Sequence, residues 1–348
     1  MAGELGVLAS LGLTTPIIQA PMGGGFTPPG LAAAVTGAGG LGSIGAPYLS
    51  PEAIVETAEA TRKLTGGAFG MNLFLFDPPQ ATNQMIARAA ERLAPYCREL
   101  GIEPPSLSGP AHPDIPAQME AILAVKPAVF SFTLGMPPPW ILAECRRLGI
   151  LTVGTATTLA EGLALEAAGV DAVCAQGSEA GGHRGTFIGP YEEGMIGVLA
   201  LTSMLAARLS VPVIAAGGIM NGAAASAMLR AGAVAVQLGT AFLTCPEAGT
   251  PTPHKQALLT PMAEHTAITS AFSGRPARGM VNRYMQELLG EDLAPFPILN
   301  AMTRGLRGAA AKAGRTEFMS LWAGQGAPLC RAMPAAELVR VLVAEMSG

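Results

Sequence analysis

Eight short apolar runs, separated by stretches rich in alanine and leucine, constrain the fold of this chain more than any other feature. They are PIIQAPM (16–22), GLGSIGA (40–46), FGMNLFLF (69–76), PAVFSFTLG (127–135), LTVGTA (151–156), AVCAQG (172–177), VPVIAAGGI (211–219) and AVAVQLGT (233–240). Most lack polar alternation, as strands covered on both faces should. Helix-start signals lie between them. Ser50 precedes Pro51 and Glu52, which supplies a cap, a first-turn proline and a charge that suits the helix dipole. Thr158 and Glu161 have capping-box spacing, and Asn221 can cap the helix that follows it. Eight strand–helix units predict a closed (β/α)8 TIM barrel of α/β class, with its active site at the C-terminal strand ends. A doubly wound open sheet is the alternative, because alternation alone does not prove closure.

The 348 residues exceed what the barrel needs in two places. Residues 1–246 are expected to form the barrel core, with an insertion over 77–115 that carries a helix around 82–100. Residues 247–312 are expected to form a small helical lid subdomain over the barrel mouth. Residues 313–348 return to the barrel and end in an amphipathic helix, PAAELVRVLVAEM.

Composition narrows the partners. Half the residues are hydrophobic, 13% are charged and the formal net charge is −4, with no basic block. Such a chain offers no electrostatic footprint for nucleic acid or an anionic membrane. Residues 5–51 and 209–229 carry no charge, yet proline, glycine, asparagine and threonine interrupt both. Neither supplies the continuous apolar helix of about 20 residues that crosses a bilayer. The start, MAGELGVLASLGL, has no basic region, since the first Lys or Arg is Arg62; it does not read as a signal peptide. Five scattered cysteines without a CxxC pair point to small buried hydrophobes, no metal site and a reducing, cytoplasmic setting. A homodimer is left open.

Three groups of residues carry candidate chemistry. After the seventh run come Gly217 and Gly218, with a helix starting near Asn221; the eighth run ends in Gln237, Leu238, Gly239 and Thr240. Glycine lets the backbone approach an anion, and the loops after barrel strands seven and eight are the usual phosphate site. Tight packing alone would explain either glycine pair. The second group is AQGSEAGGHRG (175–185): Gln176 can present its amide to a flat heterocycle, Gly181 and Gly182 allow a loop to fold over a ligand, and His183 stands at the barrel mouth as a base, acid or donor. Solvent decoration is the bland account of a lone loop histidine. In the third group, Met22 and Gly23 of PMGGG lie beside the ligand and Asn72 of GMNLF sits in an apolar strand. Asn72 needs a ligand or an in-sheet partner for its amide. Trp322 and Gln325 of FMSLWAGQG can close over the ligand from the lid, with core packing an equal account of Trp322. His112, His254 and His265 receive no role. No GxGxxG follows the first strand, and GxSxG, Walker A and HExxH are absent from the sequence.

Taken in order, QAPMGGG, GMNLF, SFTLG, AQGSEAGGHRG, AAGGI, VQLGTAF and MSLWAGQ resemble class I nitronate monooxygenases, once called 2-nitropropane dioxygenases. AQGSEAGGHRG is the most specific of these, whereas AAGGI occurs in many FMN barrels. The resemblance implies non-covalent FMN, no metal, and oxidation of alkyl nitronates such as propionate 3-nitronate by molecular oxygen through one-electron transfer to the flavin. It implies His183 as the catalytic histidine, and FMN contacts at Asn72, Gln176, Gly181, Gly218, Gln237, Leu238, Gly239 and Thr240, with Met22 and Gly23 beside the ring. His183 and Thr133 would face the substrate. Some bacterial members have histidine within SFxFG where this chain has Thr133, and an aromatic where it has Leu134. Substrate contacts there are expected to differ.

Two rivals remain. FMN-dependent enoyl-acyl-carrier-protein reductases and quinone reductases, which take electrons from NAD(P)H, also resemble this chain. A non-catalytic flavin- or phosphate-binding module is the rival from another class, and His183 on its glycine loop speaks against it.

Overall fold

Uncharged runs rich in valine, isoleucine, alanine and glycine cannot face water on either side, and all eight become neighbouring parallel strands of one sheet. The computed structural model describes residues 6–77, 79–107, 109–290 and 293–347. Residues 1–5, on which part of the signal-peptide reading rests, lie outside the described residues. The strands are β1 (Ile17–Gln19), β2 (Gly42–Gly45), β3 (Phe69–Phe74), β4 (Val129–Thr133), β5 (Leu151–Ala156) and β6 (Ala172–Gln176). A short β7 (Gly182–His183) follows, then β8 (Val213–Ala216), β9 (Ala235–Leu238), β10 (Thr266–Thr269) and β11 (Ala277–Met280). The large sheet runs β1-β9-β8-β6-β5-β4-β3-β2. Its ends meet, because the Leu41 N–H donates to Ile17 O at 3.0 Å and Leu41 O accepts from Gln19 N–H at 2.9 Å. That closes the barrel and removes the open-sheet alternative.

The helices begin where the cap residues stand. Ser50 Oγ accepts from Ala53 N–H ahead of Pro51–Leu64, and Thr158 with Glu161 completes a capping box ahead of Leu159–Ala168. Asn221 Oδ1 accepts from Ala224 N–H at 2.9 Å at the start of Gly222–Arg230. The closing helix, Ala335–Met346, buries Leu338, Val339 and Leu342 in one cluster with Ala225 and Met228. Among the described residues no helix is long and apolar enough to cross a membrane.

Residues 77–115 contain the helix Asn83–Glu99, capped by Thr82. Its Leu93, Tyr96 and Cys97 share an apolar cluster with Phe272, Tyr284, Leu299, Leu306 and Phe318. Two segments far apart in sequence thus pack together as one cap, around a Phe272–Tyr284 ring stack at 4.5 Å. Burying such rings supplies roughly 1.5–3 kcal/mol each. Residues 247–312 are expected to be helical; among the described residues they hold four α-helices and a 3-10 turn, and with them the hairpin β10–β11. The other edge of β11 pairs with β7, Ala277 opposite His183 and Arg278 opposite Gly182. A partner only two residues long, nearly a hundred positions away, leaves little local pattern to read.

Candidate active site

At the C-terminal strand ends the barrel and the cap enclose a cavity of about 260 Å³. Met22, Gly23, Asn72, Thr133, Gln176, Gly181, His183, Gly217, Gly218, Gln237, Leu238, Gly239 and Thr240 all line it, so these candidates are brought together. Trp322 joins them, so it borders the cavity as well as packing against the core. Gln325 does not; its backbone N–H donates to Glu179 O at 2.9 Å, turning that residue into a strut between the C-terminal segment and the β6 loop.

One wall is backbone. Gly217 and Gly218 have φ of 121° and 68°, conformations that side chains oppose. A Cβ on Gly181 would lie 2.6 Å from Ala323 C and Gly324 N, so only glycine lets these segments meet. The N–H groups of Gly218, Gly239 and Thr240 donate to no backbone acceptor among the described residues. The helix Gly222–Arg230 is a different matter from the free anion site expected of it. Gly222 N–H already binds Glu345 Oε2 at 2.8 Å and Ala224 N–H binds Asn221. A carboxylate from the closing helix occupies that terminus.

The loop after β6 is pinned rather than flexible. Gln176 Nε2 donates to His183 O at 3.0 Å, and its Oε1 accepts from Gly185 N–H at 2.8 Å. Both ends of the amide expected to face a heterocycle therefore orient the His183 strand, with one N–H and one lone pair to spare. Arg184, 1% exposed, donates to Gly177 O at 2.7 Å, Gln176 O at 3.1 Å and Gly194 O at 3.0 Å. Glu161, fully buried, accepts from the backbone N–H groups of Thr157 at 2.6 Å, Ile188 at 2.9 Å, and Phe187. The sequence marked Glu161 as a cap and Arg184 not at all. Their backbone bonds span residues 157–194 and hold the loop in place.

His183 is half-buried in β7, which sets aside solvent decoration as its account. Its ring sits among those of Phe74, Phe296 and Trp322, at centroid distances of 5.6, 5.5 and 5.8 Å. Nε2 lies 2.9 Å from Ser273 Oγ, and the Ser273 hydroxyl donates to Arg275 O at 3.0 Å. With that hydroxyl proton spent, the network assigns a proton to Nε2 and leaves Nδ1 a bare acceptor. Desolvation, then the positive charges of Arg275 and Arg307, push the imidazole pKa down to about 3. It is neutral at physiological pH.

The hydroxyls and amides at the cavity floor are partly paired across strands. Asn72 Nδ2 donates to Ser131 Oγ at 3.0 Å, and Thr133 Oγ1 lies 3.0 Å from Thr155 Oγ1. Asn72 thus has its in-sheet partner and still borders the cavity with its amide oxygen uncommitted. Leu134 follows Thr133 at φ 77°, a costly conformation for a branched side chain at the end of β4. The far wall comes from the cap: Asn300, Arg307 and Ser320, with Tyr48 from the barrel. Among the described residues that line the cavity, Arg307 is the one lysine, arginine, aspartate or glutamate.

A family model described as nitronate monooxygenase matches residues 6–345. The chain is 42% identical to a nitronate monooxygenase of Paraburkholderia phytofirmans, covering 99% of this chain and 95% of that one. With a nitronate monooxygenase of Pseudomonas aeruginosa the identity is 43%, over 97% and 98%. Among solved structures, a nitroalkane oxidase from Streptomyces ansochromogenes superposes with a TM-score of 0.91 at 44% identity, covering 98% and 97%. FabK from Thermotoga maritima is more distant, with a TM-score of 0.76 at 26% identity over 98% and 95%.

Proposed function

The chain belongs to the nitronate monooxygenase family, whose members are oxidoreductases, and from that premise we propose that it uses FMN to oxidise alkyl nitronates, propionate 3-nitronate among them, with molecular oxygen. One observation carries the reading: a single cavity joins a wall of backbone N–H groups without a backbone acceptor among the described residues to a wall bearing a neutral imidazole and an arginine.

FMN fits the first wall. The N–H groups of Gly218, Gly239 and Thr240 would take its phosphate, at the strand ends where barrels commonly bind phosphate. Asn72, Gln237, Met22 and Gly23 would border its ring, with Gln176 and Gly181 shaping the loop above it. When bound, the flavin would supply the one-electron acceptor for the nitronate.

The residues of this chain do the rest. Arg307 gives the cavity a positive potential that favours an anion. Ser273 fixes the His183 tautomer and leaves Nδ1 as the ring's acceptor. A nitronate, already deprotonated, needs no base. For a neutral nitroalkane, Nδ1 would take the proton from the carbon next to the nitro group. Anion formation there would offset the charges of Arg275 and Arg307 and raise the imidazole's proton affinity. Phe74, Phe296 and Trp322 keep water from the imidazole. Five free cysteines suit a reducing cytoplasm.

The likeness to FabK supports a second reading, a flavin reductase fed by NAD(P)H. Anaerobic mixing separates the two. Bleaching of the flavin by propionate 3-nitronate and none by NADH, with oxygen uptake on aeration, is the expected result. Rapid bleaching by NADH without nitronate-dependent oxygen uptake would overturn it.

A further inference from the structure

A cation held away from water without a carboxylate partner is costly, and folds keep one mainly where a ligand completes it. Arg307 is such a cation. It lies in the helix Arg304–Ala313, half-buried, with every hydrogen-bond acceptor neutral: Asn300 O at 2.8 Å, Asn300 Oδ1 at 3.0 Å, Thr303 O at 3.4 Å and Ser320 Oγ at 3.5 Å. The two short bonds both use Nη2. Nη1 has only the Ser320 contact, at the outer limit of a hydrogen bond, so its donors remain available on the cavity side.

We infer that Arg307, anchored by Asn300 and flanked by Ser320, forms an anion subsite at the cap end of the cavity that takes a carboxylate on the substrate's tail. Asn300, Arg307 and Ser320 come from three successive segments of the cap and converge on one wall, so the site is built rather than incidental. Burial lowers the pKa of Arg307, as expected of a guanidinium withdrawn from water, and its charge reaches both His183 and Tyr48. Ser320, which Arg307 contacts, stands two residues before Trp322, whose ring lies 5.8 Å from that of His183, so the subsite is on the imidazole side of the cavity and a carboxylate there leaves the other end of a short substrate toward His183. Exposed Arg304, one turn earlier, adds to the positive field.

The subsite rests on the reading of the cavity as a nitronate site, and the test separates the two. Arg307→Met and Arg307→Lys are compared with the wild type in kcat/KM on propionate 3-nitronate and on propyl-1-nitronate. Binding of 3-nitropropionate and 1-nitropropane is followed through the flavin spectrum. A charge-assisted bond predicts that Arg307→Met lowers the preference for the carboxylated member of each pair by roughly 10- to 100-fold, with partial recovery in Arg307→Lys. An unchanged preference, whether both substrates weaken equally or neither does, would overturn the subsite. If the wild type oxidises neither nitronate yet binds 3-nitropropionate through Arg307, the subsite stands and the oxidation falls.

Discussion

The two walls of the cavity are made of different material. The wall at β8 and β9 is backbone: Gly217, Gly218, Gly239 and Thr240 contribute N–H groups and closeness, and little side-chain chemistry. The wall opposite is side chain: His183, Asn300, Arg307, Ser320 and Trp322, most of them carried in by the cap. A backbone wall is damaged by adding atoms, a side-chain wall by removing them. Their functions should separate in the same way, with cofactor retention on the first and turnover on the second.

His183→Asn gives the sharpest separation. It should lower kcat on a neutral nitroalkane by roughly 100-fold, the usual size of a positioned acid–base group, and leave the bound flavin spectrum intact. Unchanged turnover would remove His183 from the chemistry. Gly181→Ala tests the other wall. The added methyl would lie 2.6 Å from Ala323 C and Gly324 N, so two backbones must part. Overpacking of this kind costs about 1–3 kcal/mol, enough to lower flavin retention by roughly 10-fold. Retention equal to wild type, measured by flavin released per chain, would show that the wall tolerates added bulk.

Ser273→Ala should have a smaller effect. It strips the Nε2 proton of its acceptor at a net cost of about 1 kcal/mol, predicting a roughly 5-fold loss in kcat at constant flavin content. If Ser273→Ala turns over normally, the tautomer is set by something else. The smallest effect concerns stability. His254 is fully buried, and that burial, against a weaker raising contact with the Trp322 backbone, pushes its pKa down to about 4. The unfolded chain takes up this proton near pH 6.5 and the folded chain only near 4, so stability is lost as pH falls between those values. His254→Leu should narrow the difference in Tm between pH 5 and pH 8, by an amount visible in thermal scans. An unchanged difference would mean that His254 is charged when folded.

The same contrast explains what could be read from the sequence. The β8 and β9 turns are local objects, with glycine, cap and strand contiguous in VIAAGGIMNG and VQLGTAF, and they stand where expected. The cap wall depends on contacts between residues about a hundred positions apart. Ser273 meets His183 only because β11 pairs with β7. Arg307 had one signal in the sequence: Leu299, Thr303, Leu306 and Ala310 follow helical spacing, which puts Arg307 at the margin of a buried face, where charge is expensive. Gln176 shows the converse limit of local reading. Its position at the end of β6 was right, but its amide serves His183 and Gly185 because the loop needed an internal anchor. Nor could local sequence show that Glu345, more than a hundred residues on, would occupy the start of Gly222–Arg230.

The claim beneath both walls is that the cavity holds a flavin by its phosphate. The direct measurement is the visible spectrum of the purified protein, followed by identification of the flavin released on denaturation. Yellow protein that yields FMN in stoichiometric amount is the predicted result. Colourless protein that takes up no added FMN would contradict the account.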